Sequence, residues 1–136
     1  MDRFLSKAKD VSSGEWVVGY FYYDYNYEIN KSVRIFCKIN DKGDNYIIDI
    51  KTLCQCARSD SKGQLWENDY FWSNDVEGII GVITWSDDDD TWMVREVPNT
   101  VEDETVPDFE DTLNWLQLNE FSTTEIMDNF IGNIHD

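Results

Sequence analysis

Four consecutive aspartates, Asp87 to Asp90, stand between Trp85 and Trp92 and form the densest cluster of one chemistry-bearing side chain in the sequence. Clustered carboxylates can hold a hard divalent cation through oxygen, and they can also meet a basic surface on another macromolecule. The run has neither the glycine bend nor the distal glutamate of an EF-hand loop, so it reads as a solvated hairpin tip with no metal assigned to it. Soft-metal chemistry is no better supplied. Cys54 and Cys56 are two apart and His135 is the lone histidine, whereas structural zinc sites bring paired Cys-x2-4-Cys clusters. Nucleophilic catalysis needs a base beside its nucleophile, and His135 falls where water is expected to surround it. No catalytic residue and no cofactor is assigned, and the chain is expected to bind another macromolecule and not to be an enzyme.

Acidic groups extend well beyond that run, and they are unevenly placed. Through Lys62 the chain has ten basic and nine acidic residues; from Gly63 onward it has one basic residue, Arg95, and nineteen acidic ones, which together make the net charge of -17. A concentrated negative field repels phosphate backbones and anionic lipid and attracts basic protein surfaces, so no direct nucleic-acid or membrane partner is expected. Glu102, Asp103, Glu104, Asp108, Glu110 and Asp111 therefore join Asp87 to Asp90 as candidate contacts with a basic partner. Trp85 and Trp92 are candidate anchors beside them, because a desolvated aromatic holds a complex better than a rim carboxylate does. Three readings of the acidic half stay open: a merely solubilising surface, a nucleic-acid mimic that fills the basic channel of a DNA- or RNA-binding enzyme, and a face for some other basic protein.

The elements that must position these residues read as mainly β. The runs from 15 to 23, 33 to 39, 46 to 50, 69 to 72, 79 to 85 and 91 to 97 are rich in β-branched and aromatic residues and are bounded by turn clusters, the pattern of strands. The turn-rich stretch from Asn40 to Asn45 makes the second and third of these a hairpin. The first run is apolar on both faces, so Tyr20, Tyr22, Tyr23 and Tyr25 are candidate interface residues of a homo-oligomer. Towards the end the period changes. Phe109, Leu113 and Leu116 recur at helical spacing, broadened by Trp115 and Leu118 and preceded by acidic residues in the first turn, and predict a helix. Ser122-Thr123-Thr124-Glu125 matches a capping box, with Phe121 and Ile126 as its hydrophobic staple, and predicts a second short helix that Gly132 is placed to end.

No segment approaches the roughly 20 apolar residues of a membrane span, and residues 1–9 hold no signal-peptide core, so the expected location is the cytosol. An odd set of cysteines, Cys37, Cys54 and Cys56, points to reduced, mostly buried thiols.

Several motifs in order give the chain a family likeness. Trp16-Val17-Val18-Gly19-Tyr20 opens it, and Ile48 to Gln55 follows with its threonine, Thr52, and glutamine. Asp60 to Asp69 carries an Asp-x-x-Gly stretch ending in Glu67-Asn68-Asp69, in which the glutamate comes one residue early and asparagine stands in place of the usual glycine. Gly81-Val82-Ile83 and Phe130-Ile131-Gly132-Asn133-Ile134 close the series. In these the chain resembles the YopX-like proteins of phages and prophages, although Cys56-Ala57-Arg58 departs from the usual Thr-Gly-Leu region. The resemblance implies a small antiparallel β-barrel-like domain with one or two short C-terminal helices, encoded by a mobile element and without known enzymatic activity. On this reading residues 1–100 form the β-rich core and residues 101–136 an acidic linker with helices packing on the same domain. The leading expectation for function is a non-catalytic accessory protein that binds a basic surface of a host protein, in its sharpest form as a nucleic-acid mimic inhibiting a host defence nuclease of the kind met by anti-CRISPR or anti-restriction proteins. The alternative is a homo-oligomeric assembly protein whose acidity serves only solubility.

Overall fold

A computed structural model describes residues 5–23, 34–38, 45–74, 77–101 and 104–136. The chain falls into two compact units, residues 1–56 and 57–136, and is mainly β, with two antiparallel sheets and, among the described residues, one short α-helix.

In the first unit, β1 (Leu5–Asp10), β2 (Trp16–Tyr23), β3 (Arg34–Lys38) and the start of β4 (Asn45–Asp60) pair in sequence order. β3 and β4 form the expected hairpin, with Phe36 opposite Tyr46; its turn lies outside the described residues. β1 also pairs with β4, with a register shift between Lys7 and Lys9. Thr52 occupies that irregularity: its hydroxyl donates to the Asp49 carbonyl (2.6 Å) and accepts from the Lys9 N–H (2.8 Å). A bulge leaves backbone groups off the ladder, and one buried hydroxyl here meets two of them. Ala8, Val17 and Ile48 are the buried core, with Tyr46 and Leu53 packed against it. Cys54 and Cys56 are buried, and the Cys54 thiol donates to the Thr52 carbonyl.

The second unit holds the end of β4 with β5 (Gly63–Trp66), and a sheet of β6 (Asp69–Asn74), β7 (Ile79–Ser86), β8 (Thr91–Val101), β10 (Asn114–Gln117) and β11 (Phe130–Asn133) in the order β10-β8-β7-β6-β11. β9 (Glu104–Pro107) pairs with β8 off this path. The near-continuous apolar run of β7 has its reason in the packing, because both faces of this sheet are covered. Phe71, Ile83 and Val94 join Leu65, Leu118 and Ile126 in one cluster. Ile80, Val82 and Val97 form another with Tyr70, Trp72, Phe109, Ile131 and Ile134.

The helix expected over Phe109 to Leu118 does not form. Phe109 and Glu110 lie in a turn, Asn114–Gln117 is strand β10, and Leu118–Glu120 is a single 3-10 turn. The edge of β8 decides this. Its backbone from Met93 to Glu96 pairs with Gln117 to Asn114, and the Leu113 N–H donates to the Glu96 carbonyl (2.8 Å). A helix this short is marginal alone, whereas an open strand edge offers a ready ladder. Leu113 and Trp115, two members of the supposed stripe, are accordingly exposed.

Ser122 does cap a helix, α1 (Thr123–Asp128). The Ser122 hydroxyl accepts from the Glu125 N–H and the Glu125 carboxylate accepts from the Ser122 N–H, while Ile126 is fully buried and Phe121 packs beside it. Asn129, not Gly132, ends α1, and Gly132 belongs to β11. Arg58 ties this segment down by donating to the carbonyls of Phe121 (2.8 Å) and Leu118 (2.9 Å). Thr123 donates to Asp60 (2.6 Å), a bond that holds the Asp60 carboxyl below its usual range. Ser122→Ala should cost about 1 kcal/mol, a drop of roughly 4–8 °C in the melting midpoint of a unit this size. Thermal unfolding followed by circular dichroism would show no shift if the cap were idle.

Candidate functional site

β7 and β8 stay in register to their last pairs, Trp85 with Trp92 and Ser86 with Thr91, so Asp87 to Asp90 are left as the turn between them. Asp90 takes a φ of 52°, a left-handed conformation that aspartate adopts more readily than most residues because its short polar side chain bonds locally. Directly opposed residues share one face of an antiparallel pair. The two indoles therefore meet edge to face, with ring centroids 5.3 Å apart and planes at 74°, an arrangement worth about 0.5–1.5 kcal/mol beyond its burial.

The turn is braced from within. The Trp85 indole N–H donates to Asp87 Oδ1 (3.0 Å), the Ser86 hydroxyl donates to Asp89 Oδ2 (3.3 Å), and the Asp89 N–H donates back to Ser86 Oγ (3.2 Å). All four aspartates are exposed. The outcome is a set of carboxylates held at defined positions in water beside an aromatic pair.

Trp115 completes the site, and the sequence pattern had placed it in a helix instead. From β10 it joins Trp85, Ser86, Asp87, Asp88 and Asp89 around an open cleft of about 500 Å³. Trp115 is 46% exposed and Trp85 36%, so both indoles present surface to solvent. The signal that could have found it is the alternation in Asn114-Trp115-Leu116-Gln117, in which Leu116 packs against the core and Trp115 faces the other way.

The remaining acidic candidates sit elsewhere. The Asp108 N–H donates to the Pro98 carbonyl (3.0 Å), and the N–H groups of Glu110 and Asp111 donate to the Asp108 carboxylate and carbonyl. Arg95 braces this loop by donating to the Phe109 carbonyl and to Thr112 Oγ1; burial lowers its pKa from the ordinary arginine value. At about 3.3 Å per strand residue, Pro98 lies roughly 25 Å along β8 from the aspartate turn. The structure thus brings Trp85, Trp92 and Asp87 to Asp90 together and holds Asp108, Glu110 and Asp111 as a separate cluster. Glu104 lies in β9, and Glu102 and Asp103 lie outside the described residues. Of the tyrosines, Tyr20 is exposed on β2, Tyr22 and Tyr23 belong to the same strand, and Tyr25 lies outside the described residues.

His135 is only half-exposed, contrary to expectation. Its backbone N–H donates to Asn133 Oδ1 (3.0 Å), and its ring Nε2 is 3.4 Å from the Asn68 amide. Among the described residues no three His, Cys, Asp or Glu side chains gather as a metal site. Nor, among them, is any helix long and apolar enough to cross a membrane.

Two of the motifs quoted above, Glu67-Asn68-Asp69 and the one that contains Asn133, meet in the second unit. Asp69 is 3% exposed; its carboxylate accepts from the Trp66 N–H (2.9 Å) and from Asn133 Nδ2 (2.9 Å), which also donates to the Glu67 carbonyl (3.0 Å). Asn68 has a φ of 71°, a left-handed conformation that glycine takes without strain and asparagine tolerates. Comparison with family models, with curated proteins and with solved structures returned no match.

Proposed function

We propose that this chain is a non-catalytic, YopX-like protein of a phage or prophage that acts in the host cytosol by docking its acidic second unit on a basic surface of a host protein. The observation that carries this reading is the aspartate turn, where four exposed carboxylates project beside solvent-facing tryptophans. Charge of this density steers a basic partner and rejects an anionic one, and the indoles supply the desolvated contact that charge alone lacks. In its sharpest form the partner is a nucleic-acid-binding defence nuclease and the carboxylates stand in for phosphates. The double pairing of β1 with β2 and β4 supports a barrel-like first unit.

Changing Asp87 to Asp90 together to asparagine keeps size and hydrogen-bonding oxygens while removing four charges from a turn outside the core. Affinity for a partner captured from host lysate should fall at least tenfold, about 1.4 kcal/mol, with the unfolding midpoint preserved. A partner that binds the variant as tightly as the parent would remove this turn from the site. Competition by duplex DNA separates mimicry from docking on some other basic protein.

A second reading, self-association, draws on Val11, Tyr20, Ile47 and Ile50 of the first unit, all large apolar side chains left exposed. Salt discriminates the two: docking through carboxylates weakens steeply as salt rises, whereas association through apolar strands is indifferent or strengthens.

A further inference from the structure

We infer that β10 is a docking edge, which takes an extended segment of a partner protein, apolar at its centre and flanked by lysine or arginine, as an added strand opposite Trp115. The site is made by β10 and not by the aspartate turn. Among the described residues β10 ends its sheet, with β8 as its strand partner. The Gln117 N–H is taken by the Glu120 carboxylate (2.9 Å) and so is turned off the β8 ladder. Alternate residues of a strand turn their backbone groups to one edge, so the N–H and C=O of Trp115 face the open side while Asn114 and Leu116 bond to β8. Leu113 breaks this alternation, because its N–H reaches the carbonyl of Glu96, the residue opposite Asn114. Trp115 thus offers an added strand a close pair of main-chain hydrogen bonds.

An open edge gives affinity through the main chain, and the side chains beside it select what adds. The Trp115 indole is 46% exposed and Leu113 52%, so the centre of the added segment meets an apolar surface. Its ends meet acid. Glu110 and Asp111 precede β10 and Glu120 follows it, all exposed, while Arg95, opposite Trp115 on β8, has its guanidinium turned to the Phe109 carbonyl and Thr112. A second copy of this chain is a poor occupant, because edge-to-edge pairing would bring together two chains that each carry a net charge of -17. Charges at a strand edge are a usual guard against such self-pairing. They attract a segment of opposite charge, and lysine or arginine on either side of an apolar residue satisfies both the acids and the indole.

The test titrates the full chain, at about 0.15 M salt where long-range attraction is screened, with a peptide of alternating lysine and valine. Its controls are a glutamine–valine counterpart and a fully N-methylated lysine–valine copy, which keeps the charge but cannot donate a backbone hydrogen bond. The lysine peptide should bind at least tenfold tighter than either control and should slow solvent exchange of the Trp115 amide proton. Trp115→Ala should weaken the lysine peptide at least tenfold with the unfolding midpoint preserved; the exchange measurement, made on the parent chain, decides independently of that variant. Equal binding of the N-methylated copy would overturn strand addition, and equal binding of the glutamine peptide would overturn the basic occupant. A Trp115 amide that exchanges as fast with the peptide as without it would overturn β10 as the edge used. Binding lost on changing Asp87 to Asp90 to asparagine but kept in Trp115→Ala would also overturn it, and would leave docking at the aspartate turn standing.

Discussion

Gly81→Ala is expected to lower the stability of the second unit by about 2–3 kcal/mol, the upper part of the overpacking range for a methyl forced into a filled interior. Gly81 sits at the middle of β7, opposite Phe71 on one side and Glu96 on the other. A Cβ there would lie 2.6 Å from Val94 Cγ1 and 3.0 Å from Phe71 Cζ, and both neighbours belong to the buried cluster that also holds Ile83 and Ile126. Neither can retreat without displacing the rest. Because the nearest atom is a valine methyl, Val94→Ala should recover part of the loss in the double variant even though it destabilises alone. Urea unfolding of the two single variants and the pair would measure this coupling; additive losses would show that the clash is relieved elsewhere.

Asn133→Ala should be costlier still, at about 3 kcal/mol. Asn133 is 3% exposed and binds Asp69 and the Glu67 carbonyl with the same amide while its oxygen accepts from His135. Alanine removes a donor from a carboxylate that water cannot reach, a loss of a charge-assisted bond without compensation. Asn133→Asp sharpens the test through pH. It sets a second carboxylate against Asp69, and two such groups in contact cannot both ionise. The variant must bind a proton on folding that the unfolded chain does not hold at neutral pH, so its deficit is largest there and shrinks as pH falls towards the carboxylate range. Denaturant midpoints of parent and variant at pH 7 and pH 5 give the sign directly. A deficit that does not change with pH would mean that the introduced carboxylate has turned to solvent.

What could be read without coordinates was decided by local physics. β2, β3, β6, β7 and β8 announce themselves by β-branched and aromatic density, and α1 by a capping box that needs only four residues. β1, Leu-Ser-Lys-Ala-Lys-Asp, has no β-branched residue at all and is a strand because β2 and β4 flank it. β10 is the instructive miss: Phe109, Leu113 and Leu116 share helical spacing, yet an open edge on β8, encoded some twenty residues earlier, takes the segment as a strand. The site divided in the same way. Asp87 to Asp90, Trp85 and Trp92 are adjacent in sequence and could be grouped from it, whereas Trp115 reaches the cleft only through the pairing of β10 with β8. Asp108 to Asp111 looked continuous with the turn by charge and is separated from it by the greater part of β8.

The contact between Asn133 and the β5–β6 turn joins residues 64 to 66 apart in the chain, and that separation sets a timetable. During synthesis the hairpins of β5 through β8 can form as they emerge, but the free edge of β6 waits for Phe130 to Asn133 before β11 covers it. For that interval the nascent chain exposes an unpaired, aromatic-rich edge, the kind of surface on which strands of neighbouring chains add. The carboxylates clustered downstream of Gly63 are already translated by then, and their mutual repulsion keeps such edges apart. On this timetable the same acidity is expected to shield a late-closing sheet while it is being made.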